Sequence, residues 1–348
     1  MDGLSRFALC SCYIRDNIAG ACRRGAARFG QTPVFEGCFP IFALAQGLLS
    51  FFADQEEFMR APEDPDAQPR RKRPLVVILG TNEIASAVAV HMHRIGWAVV
   101  LSHDSFPPVI RRQMAFHDTL YGERITLDGV TSERAETALE LLAILDYSAH
   151  IAVTPLQFHD LVALRAPDAL VDARMQKYRA TPDLRHLAGL AVGLGPNFAV
   201  GRNCDIAIET KPSEAGRIVH SGETEAADHV PLVLGGVGEE RFVYSARPGL
   251  WHTAIDIGQR VFKDFVVGHL GGEPITAPLD GVLRGVVRDG AQIPCGVKVL
   301  EIDPRGRTAR WTGIDERSAL VASAVSRAIR VKLAERAAAL SPGSFVAQ

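Results

Sequence analysis

The stretch LVVILGTNEIASAVAVHMHRIGWAVVLSHD, Leu75–Asp104, decides the fold of the chain. It begins with an apolar run that ends on Gly80, a pattern typical of a buried strand. Apolar residues then recur at helical spacing, Ile84, Val88 and Met92 among them, and a second apolar strand follows. Strand, glycine turn, helix and strand in this short span predict a βαβ unit, and therefore a parallel sheet with a right-handed crossover.

Later segments extend this pattern along the chain. AHIAVTP (Ala149–Pro155) and DALVDA (Asp168–Ala173) are apolar runs that can supply further strands. Between the first two strands and these runs, TSERAETALELLAIL (Thr131–Leu145) opens with a Ser-x-x-Glu-like start and continues at helical spacing. We therefore expect a helix from Thr131, and we predict a Rossmann-like parallel-sheet domain over residues 75–190.

A repeated pattern marks the C-terminal half of the chain. IGQRVFKDFVVGHL (Ile257–Leu270) aligns without a gap with DGAQIPCGVKVLEI (Asp289–Ile302), so that Gly258 corresponds to Gly290. Each copy contains a glycine turn, a β-branched residue, a second turn and a short apolar alternation. The pattern predicts a barrel-sandwich hybrid, the small β fold of lipoyl and biotinyl carrier domains, within a β-rich domain over residues 191–312. The alternative is two unrelated hairpins that agree by chance.

A carrier function is disfavoured, because such a domain needs an exposed lysine on the hairpin that joins the two copies. That connection, LGGEPITAP (Leu270–Pro278), contains no lysine. Lys263 and Lys298 lie inside the repeat, away from this turn. The sequence therefore predicts the fold of a swinging-arm domain without its attachment point.

Composition and charge exclude several classes of protein. The chain has 348 residues, 47% hydrophobic and 22% charged, with a formal net charge of −2, which is typical of a soluble protein of two or three domains. The balanced charge gives no reason to expect nucleic acid or an anionic membrane as a partner. The longest apolar run, Phe39–Ala53, is too short to span a bilayer, and the sequence predicts no signal peptide. We expect a cytoplasmic protein.

The two ends of the chain carry different signals. Residues 1–60 show no pattern that indicates a fold, and we treat them as an N-terminal extension. Residues 61–74, APEDPDAQPRRKRP, combine prolines with an acidic half and a basic run, which is typical of a solvated linker. Residues 313–340 form an alanine-rich amphipathic pattern with Asp315 placed to cap a helix. We expect this helix to pack back on the Rossmann-like sheet; a homo-oligomer contact is the alternative.

The turn after the first strand occupies the place of a dinucleotide fingerprint. Gly80 supplies the first glycine, but Asn82 stands where backbone should approach a pyrophosphate. The helix that follows, beginning near Glu83, still offers an anion its N-terminal N–H groups. At the end of the second strand, where an acid would hold the ribose hydroxyls, the sequence has His103. The support for bound NAD is weak, and an altered or empty site is an equal alternative.

Two adjacent arginines are stronger candidates for ligand binding. Arg111 and Arg112 follow the second predicted strand, so we expect at least one to face the crevice at the strand ends, where open α/β sheets bind ligands. Guanidinium groups bind phosphate through two parallel hydrogen bonds. The alternative is that these arginines form surface ion pairs with Asp118 or Glu123.

Polar residues at the ends of later strands extend this candidate site. VDARMQK (Val171–Lys177) ends a predicted strand with Arg174 and Lys177, which would make an anion-binding rim. The glycine-rich start of GLGPNFAVGRNCDIAIETK (Gly193–Lys211) exposes backbone N–H groups that can form an anion nest, although a plain loop is an equal alternative. The further candidate positions in this stretch are Gly195, Asn197, Glu209 and Lys211.

The cysteines and histidines do not predict a metal site. Six cysteines in a chain of this length do not indicate a disulfide framework, and the histidines lack the paired spacing of metal ligands. A protein that transfers sulfur would need a reactive thiol, for which Cys204 and Cys295 are the candidates in the central region. A lone cysteine beside a strand is more often a small core residue. Four cysteines precede residue 40 and lack a CxxC pair: Cys10, Cys12, Cys22 and Cys38.

Five sequence blocks occur in one order between about residues 75 and 330: LGTNEIASAVAVHMHRIGWAVVLS, PPVIRRQMAFHDTLYGERITLDGVTSE, VDARMQK, GLGPNFAVGRNCDIAIETKPSEAGRIV and GVLRGVVRDGAQIPCGVKVLEIDPRG. Together they resemble the YqeB-type accessory proteins of molybdenum hydroxylase systems, often labelled selenium-dependent, which are related to the XdhC/CoxI maturation factors. IRRQMAF, GLGPNF, AIETK and KVLEIDPRG are specific in combination, although no single block would suffice.

The resemblance implies an accessory or maturation role for a molybdenum hydroxylase. The protein would handle a molybdopterin-type cofactor between its two domains, with the hydroxylase or its assembly machinery as partner. Several positions depart from the family: Asn82 replaces a glycine, and His103 replaces a glutamate, while the acid Glu83 is kept. Two alternatives stay open, an NAD(P)-dependent oxidoreductase that uses the same crevice and a structural partner of a metabolic enzyme complex that has lost its ligand.

Overall fold

The computed structural model describes residues 73–177, 179, 181–228 and 230–340. The predicted N-terminal extension and all but the last two residues of the predicted linker lie outside the described residues. The first four cysteines and the apolar run Phe39–Ala53 lie outside them as well.

The first half of the described chain builds a nine-stranded sheet in the order β3-β4-β5-β2-β1-β6-β7-β8-β9. Strands β4 to β8 run parallel with β1 and β2, while β3 and β9 pair antiparallel with β4 and β8 at the two edges. The strands are β1 (Leu75–Leu79), β2 (Ala98–Ser102), β3 (Thr126–Leu127), β4 (Val130–Arg134), β5 (Ile151–Thr154), β6 (Ala169–Asp172), β7 (Ala191–Leu194), β8 (Ile206–Ile208) and β9 (Ile218–Val219).

Helices cover both faces of this sheet, as an open α/β sheet requires. They are α1 (Glu83–Arg94), α2 (Ala138–Tyr147), α3 (Phe158–Leu164) and α4 (Glu316–Leu340). One face packs α1 and α4 against the sheet, with Val88 and Val325 both fully buried. The other face packs α2 and α3, with Leu141 and Leu161 in the core. The C-terminal helix therefore lies on the sheet, and Asp315 accepts the backbone N–H of Ser318 at its start (2.9 Å).

The strand–helix–strand prediction for Leu75–Asp104 is confirmed. Strand β1 pairs parallel with β2, Leu75 opposite Ala98, and all five residues of β1 are buried. Its other neighbour is β6, also parallel, so β1 lies at the centre of the sheet. A strand that is buried on both faces reads as a continuous apolar run, which is why the sequence signal was clear.

Two predicted boundaries differ from the structure. The sheet continues through β7, β8 and β9, so the domain boundary predicted at residue 190 falls inside it, because β7 pairs parallel with β6. The helix predicted to begin at Thr131 begins instead at Ala138. Residues 130–134 form β4, and the true capping box joins Thr137 and Glu140, in which the Glu140 N–H donates to the Thr137 hydroxyl (3.2 Å). The predicted start therefore lies about two turns before the observed one.

The second half forms a β module of two four-stranded antiparallel sheets. One sheet has the order β10-β17-β15-β12 and the other β14-β13-β11-β16. The strands are β10 (Phe242–Tyr244), β11 (Gly249–His252), β12 (Arg260–Val261), β13 (Val266–Leu270), β14 (Glu273–Thr276), β15 (Gly281–Val286), β16 (Gln292–Ile293) and β17 (Lys298–Asp303).

The two copies of the repeat have equivalent conformations in this module. Gly258 and Gly290 both take positive φ (95° and 78°). The Gly258 N–H of the first copy donates to the Leu283 carbonyl at 2.8 Å, in the strand that precedes the second copy. The Gly290 N–H of the second copy donates to the Trp251 carbonyl at 2.9 Å, in the strand that precedes the first copy. The same 32-residue offset relates Trp251 to Leu283, which extends the repeat to β11 and β15 beyond the aligned segments. Two unrelated hairpins would not exchange bonds in this way, so the chance alternative is wrong.

The coarse architecture is as the sequence predicts: a mixed α/β chain with a parallel-containing sheet, a β-rich part and a C-terminal helix. In the part of the chain that the structure describes, no helix has both the length and the apolar character needed to cross a membrane.

Candidate functional site

A cleft of about 790 Å³ opens between the carboxyl edge of the parallel sheet and the β module. Its walls come from the turn after β1, residues 106–111, the loops after β6 and β8, strand β10, the turn before β17 and the first turn of α4. Ligands of open α/β sheets bind at this edge, where the strands end. The volume lies within the range of small-molecule and cofactor sites, roughly 300–1,000 Å³.

The side chain of Asn82 caps the helix that follows the dinucleotide-type turn. Its Oδ1 accepts the backbone N–H groups of Ile84 and Ala85, both at 3.0 Å, and its Nδ2 donates to the Ala173 carbonyl at 2.7 Å. These are N–H groups of the first turn of α1, which would otherwise be free to bind a pyrophosphate. Gly80 supplies the positive φ of the turn (107°) and lies beneath it. The predicted anion site at this helix N-terminus is therefore already occupied by a side chain of the protein.

Arg111 lines the cleft but is held by two carboxylates. Its Nη1 lies 2.8 Å from Glu83 Oε1, and its Nε lies 2.7 Å from Glu301 Oε2. Burial disfavours the charge of Arg111, but Glu301 and Glu83 outweigh that cost and raise its pKa. The guanidinium thus joins the start of α1 to β17 of the β module. The prediction that it offers its charge to a ligand does not fit this arrangement.

Arg112 lies outside the lining of the cleft. Its Nη1 lies 2.5 Å from Asp118 Oδ2, and its Nε donates to the Val286 carbonyl at 3.0 Å. The alternative interpretation, a pair with Asp118, is the correct one for this residue. Arg174 likewise forms an ion pair with a residue close to it in the sequence, since its Nη2 lies 2.6 Å from Asp172 Oδ2.

The remaining sequence-predicted positions divide between the cleft and its surroundings. His103 lies outside the lining, its ring 5.5 Å from that of His117, and burial lowers its pKa. Gly195 and Asn197 take positive φ (87° and 73°), as the predicted turn requires, but neither lines the cleft. Lys177 does line it.

Glu209 and Lys211 line the cleft in roles that differ from direct ligand binding. The buried carboxylate of Glu209 accepts the backbone N–H groups of Thr210, Lys211 and Glu225 at 2.7–2.9 Å, and it thereby fixes the loop after β8. Lys211 Nζ lies 3.0 Å from Glu225 and 3.2 Å from Asp228. Both predicted residues shape the wall of the cleft, and the charge of Lys211 is already paired.

A buried charge cluster beneath the cleft was missed by sequence reasoning. Glu301, with no side-chain exposure, pairs with Arg111, Arg241 and Arg284. Burial lowers the pKa of Arg241 and of Arg284, and the charge of Arg111 lowers both further although Glu301 acts against it. The signal available in the sequence was a single carboxylate inside the apolar strand KVLEID, Lys298–Asp303, since an unpaired buried charge is too costly to keep.

Three further cations line the cleft: Lys177, Lys298 and Arg317. Among the described residues, none of the three has a carboxylate within 4.0 Å. Burial and the charge of Arg111 lower the pKa of Lys298 to about 8, and burial and Arg317 lower that of Lys177. Burial lowers the pKa of Arg317 as well. Burial is the largest cause in each case, and carboxylates act against it: Asp228 for Lys177, Glu301 for Lys298, and Glu83, Asp315 and Glu209 for Arg317. Of the three cations, sequence reasoning had found only Lys177.

The two candidate thiols differ sharply. Cys204 is 1% exposed and packs with Phe198, Ala207 and Val219; burial raises its pKa to about 12, so the core interpretation is confirmed. Cys295 is exposed and lines the cleft at the turn before β17. Within the described ranges no three His, Cys, Asp or Glu side chains are grouped so that they could hold a metal ion.

A comparison with curated proteins finds a sequence relative. The chain is 29% identical over 256 residues to the uncharacterized protein YqeB of Escherichia coli (strain K12), a match that covers 73% of this chain and 47% of that protein. It therefore spans about half the length of the curated relative it matches. No family model matches the chain.

Solved structures add only remote likenesses. The succinylglutamate desuccinylase of Silicibacter sp. TM1040 is 11% identical, covers 67% of this chain and 85% of its own, and gives a TM-score of 0.20. The product-bound ectoine utilization protein EutE (DoeB) of Ruegeria pomeroyi is 11% identical with the same coverage and a TM-score of 0.21. Neither value bears on the activity of this chain. The sequence match supports similarity to YqeB-type proteins, and the name of the matched relative assigns it no activity.

Proposed function

We propose that this chain is an accessory protein of a molybdenum hydroxylase system that binds a phosphate-bearing, molybdopterin-type cofactor in the cleft. In this role it would pass the cofactor to the hydroxylase or its assembly machinery. The molybdenum part of the proposal rests on the resemblance of the sequence blocks. The anionic character of the ligand rests on the charges that line the cleft.

The observation that carries the proposal is a cofactor-sized cleft with three cations at its floor, Lys177, Lys298 and Arg317, that have no carboxylate within 4.0 Å among the described residues. Five cations at this floor have pKa values lowered by burial: Lys177, Arg241, Arg284, Lys298 and Arg317. Repulsion from Arg111 lowers the pKa further in four of them, and repulsion from Arg317 does so for Lys177. A bound anion would reverse that repulsion, because an opposite charge favours the charged form of each group.

The nicotinamide alternative is less well supported by the first turn of α1. Dinucleotide sites of the Rossmann type place the pyrophosphate on free N–H groups at this position. Here Asn82 Oδ1 already accepts two of them, and the Glu83 carboxylate adds a negative charge beside the cleft. A pyrophosphate would have to displace one acceptor and approach another anion. An anionic cofactor would instead meet N–H donors that no described carboxylate binds at Lys177 and Lys298, which line the same cleft.

Ligand-dependent unfolding of the full-length protein tests the proposal. Molybdopterin-type cofactor released anaerobically from a purified hydroxylase, NADH and NADPH would each be added before thermal denaturation. A ligand that binds only the native state stabilises it by about 2.7 kcal/mol at 100 times its dissociation constant. We expect this effect with the molybdopterin-type cofactor, and we expect Lys298→Glu to abolish it while the surface variant Lys332→Glu preserves it.

The other outcomes select the alternatives. Stabilisation by NADH or NADPH alone would favour the oxidoreductase and overturn the proposal. Stabilisation by none of the three ligands, together with stoichiometric co-purification of a hydroxylase subunit, would favour a structural partner without a ligand and would also overturn it.

A further inference from the structure

We propose that Lys177, Lys298 and Arg317 form one subsite for a doubly charged phosphate group, a phosphate monoester or a diphosphate, at the floor of the cleft. The inference rests on the proposed function in taking the cleft as a ligand site, and it specifies which group of the ligand binds where. The three residues come from separate elements, the loop after β6, strand β17 and the first turn of α4.

The three side chains have the free donors that a phosphate needs. Among the described residues, each lacks a carboxylate within ion-pair distance, whereas the neighbouring cations Arg111, Arg284 and Lys211 all have one. Carboxylates beyond ion-pair distance attract each cation without using its N–H donors, for example Glu83 for Arg317 and Asp228 for Lys177, so the donors stay open to a ligand that can contact them directly.

Within the described residues, one hydrogen bond orients the side chain of Arg317. Its Nε donates to the Thr210 carbonyl at 2.8 Å, which fixes the plane of the guanidinium. In the described part of the chain no acceptor is bonded to Nη1 or Nη2, so the fork of the guanidinium is left for a ligand. Two donors in a rigid plane match two oxygens of a phosphate, which a lone ammonium does not.

The contact that positions the ammonium of Lys298 does not use its hydrogen-bond donors. Its Nζ lies 3.5 Å from the centre of the Phe242 ring, a cation–π contact that positions the ammonium by its charge alone. The three N–H donors therefore stay available to an incoming anion. Lys177 is anchored through its backbone, since the Asn197 Nδ2 donates to its carbonyl at 3.1 Å, and its side chain also reaches the cleft.

The three cations line the same cleft, and their charges repel one another. The charge of Arg317 lowers the pKa of Lys177, and the charge of Lys177 lowers that of Lys298. A singly charged carboxylate would leave most of this repulsion in place. A phosphate monoester carries about −1.5 to −2 near pH 7 and would offset more of it, so the cluster favours phosphate over carboxylate.

Isothermal titration of the full-length protein with inorganic pyrophosphate tests the subsite, with acetate as the carboxylate probe. The variants are Lys177→Gln, Lys298→Gln and Arg317→Gln, and the matched control is Lys211→Gln, which removes a cation of the same cleft that is already paired. We expect pyrophosphate binding to weaken about tenfold or more in each of the three variants and less than threefold in the control. Acetate should bind at least tenfold more weakly than pyrophosphate.

Each result decides a separate question. No pyrophosphate binding to the wild-type protein, equal losses in Lys211→Gln and the three variants, or acetate binding as tight as pyrophosphate would overturn the subsite. If the molybdopterin-type cofactor binds but the three variants bind it as the wild type does, the subsite is wrong and the proposed function stands. If pyrophosphate binds with the expected pattern and the cofactor does not, the subsite stands and the proposed function is wrong. Far-ultraviolet circular dichroism checks that every variant is folded.

Discussion

Arg111 and Glu301 form a two-point ion pair, with Nε 2.7 Å from Oε2 and Nη2 3.2 Å from Oε1. The two residues are 190 positions apart in the chain, and the pair joins the segment after β2 to β17 of the β module. Because Glu301 also pairs with Arg241 and Arg284, one buried carboxylate holds three guanidinium groups under the cleft. All three guanidinium groups belong to residues that line the cleft, so this carboxylate fixes part of its wall.

Replacement of the shared carboxylate should be costly. Glu301→Gln leaves three arginines around a neutral side chain, and breaking a buried ion pair on one side costs roughly 3–5 kcal/mol. We expect a loss in the free energy of unfolding of about 3 kcal/mol or more, measured by urea denaturation at pH 7. Glu83→Gln is the matched control, since Glu83 has 19% side-chain exposure and, among the described residues, forms an ion pair with Arg111 alone. Its loss should be about 1 kcal/mol or less. Equal losses in the two variants would contradict the central role of Glu301.

Acid should weaken the same cluster with a defined sign. Burial alone would raise the pKa of Glu301, but its three arginines outweigh this and lower it below the value of an ordinary glutamate. A carboxyl whose pKa is lower in the folded state stabilises the protein above its unfolded pKa, near 4.3, and this stability is lost as the pH falls through the folded value. The wild-type protein should therefore lose stability between pH 5 and acid more steeply than Glu301→Gln, in urea titrations at a series of pH values. Parallel curves would show that Glu301 does not supply this dependence.

The Asn82 cap gives a third test. Asn82→Ala removes the acceptor for two N–H groups of α1 and the donor to the Ala173 carbonyl, so we expect a loss of about 1–2 kcal/mol in the free energy of unfolding. Asn82→Asp keeps an acceptor for the helix and adds a charge that the helix N-terminus favours, although a carboxylate oxygen then faces the Ala173 carbonyl, so its loss should be smaller than that of alanine. If the alanine and aspartate variants unfold at the same urea concentration, the side chain does not cap the helix.

Features that depend on residues close together in the sequence were predicted correctly, and contacts between residues far apart in the sequence were not. The βαβ unit and the repeat depend on local patterns, and Gly258 and Gly290 were placed at turns because a tight turn needs positive φ wherever it occurs. Whether Arg111 binds a ligand or forms an ion pair depends on Glu301, which lies 190 residues away in the chain. No spacing rule connects such distant positions. Sequence alone therefore left ligand binding and ion pairing open for both arginines. Asn82 was found to replace a glycine, but only the structure shows it bonded to the N–H groups in question.

The pH dependence of anion binding should report on Lys298. Its pKa is lowered to about 8 by burial and by Arg111, so the ammonium loses its proton as the pH rises through that value. Sulfate keeps its double charge over this range and serves as the probe. We expect sulfate affinity, measured by titration calorimetry at constant ionic strength, to fall between pH 7 and pH 9.5. Lys298→Arg should keep the affinity nearly constant, because arginine stays charged. A fall of equal size in Lys298→Arg would show that another group is responsible.

Alkylation should separate the two thiols of the described chain. Burial raises the pKa of Cys204 to about 12, so at pH 8 the thiolate that reacts with iodoacetamide is scarce and enclosed in the core. Cys295 is exposed at the cleft and should be modified within minutes. Peptide mass spectrometry of the native protein should find the label on Cys295 and not on Cys204, and both should be labelled in urea. Bound pyrophosphate should slow the labelling of Cys295, since the thiol and Lys298 line the same cleft. Labelling of native Cys204 as fast as Cys295 would contradict its place in the core, and labelling of Cys295 at a rate unchanged by saturating pyrophosphate would place the anion elsewhere.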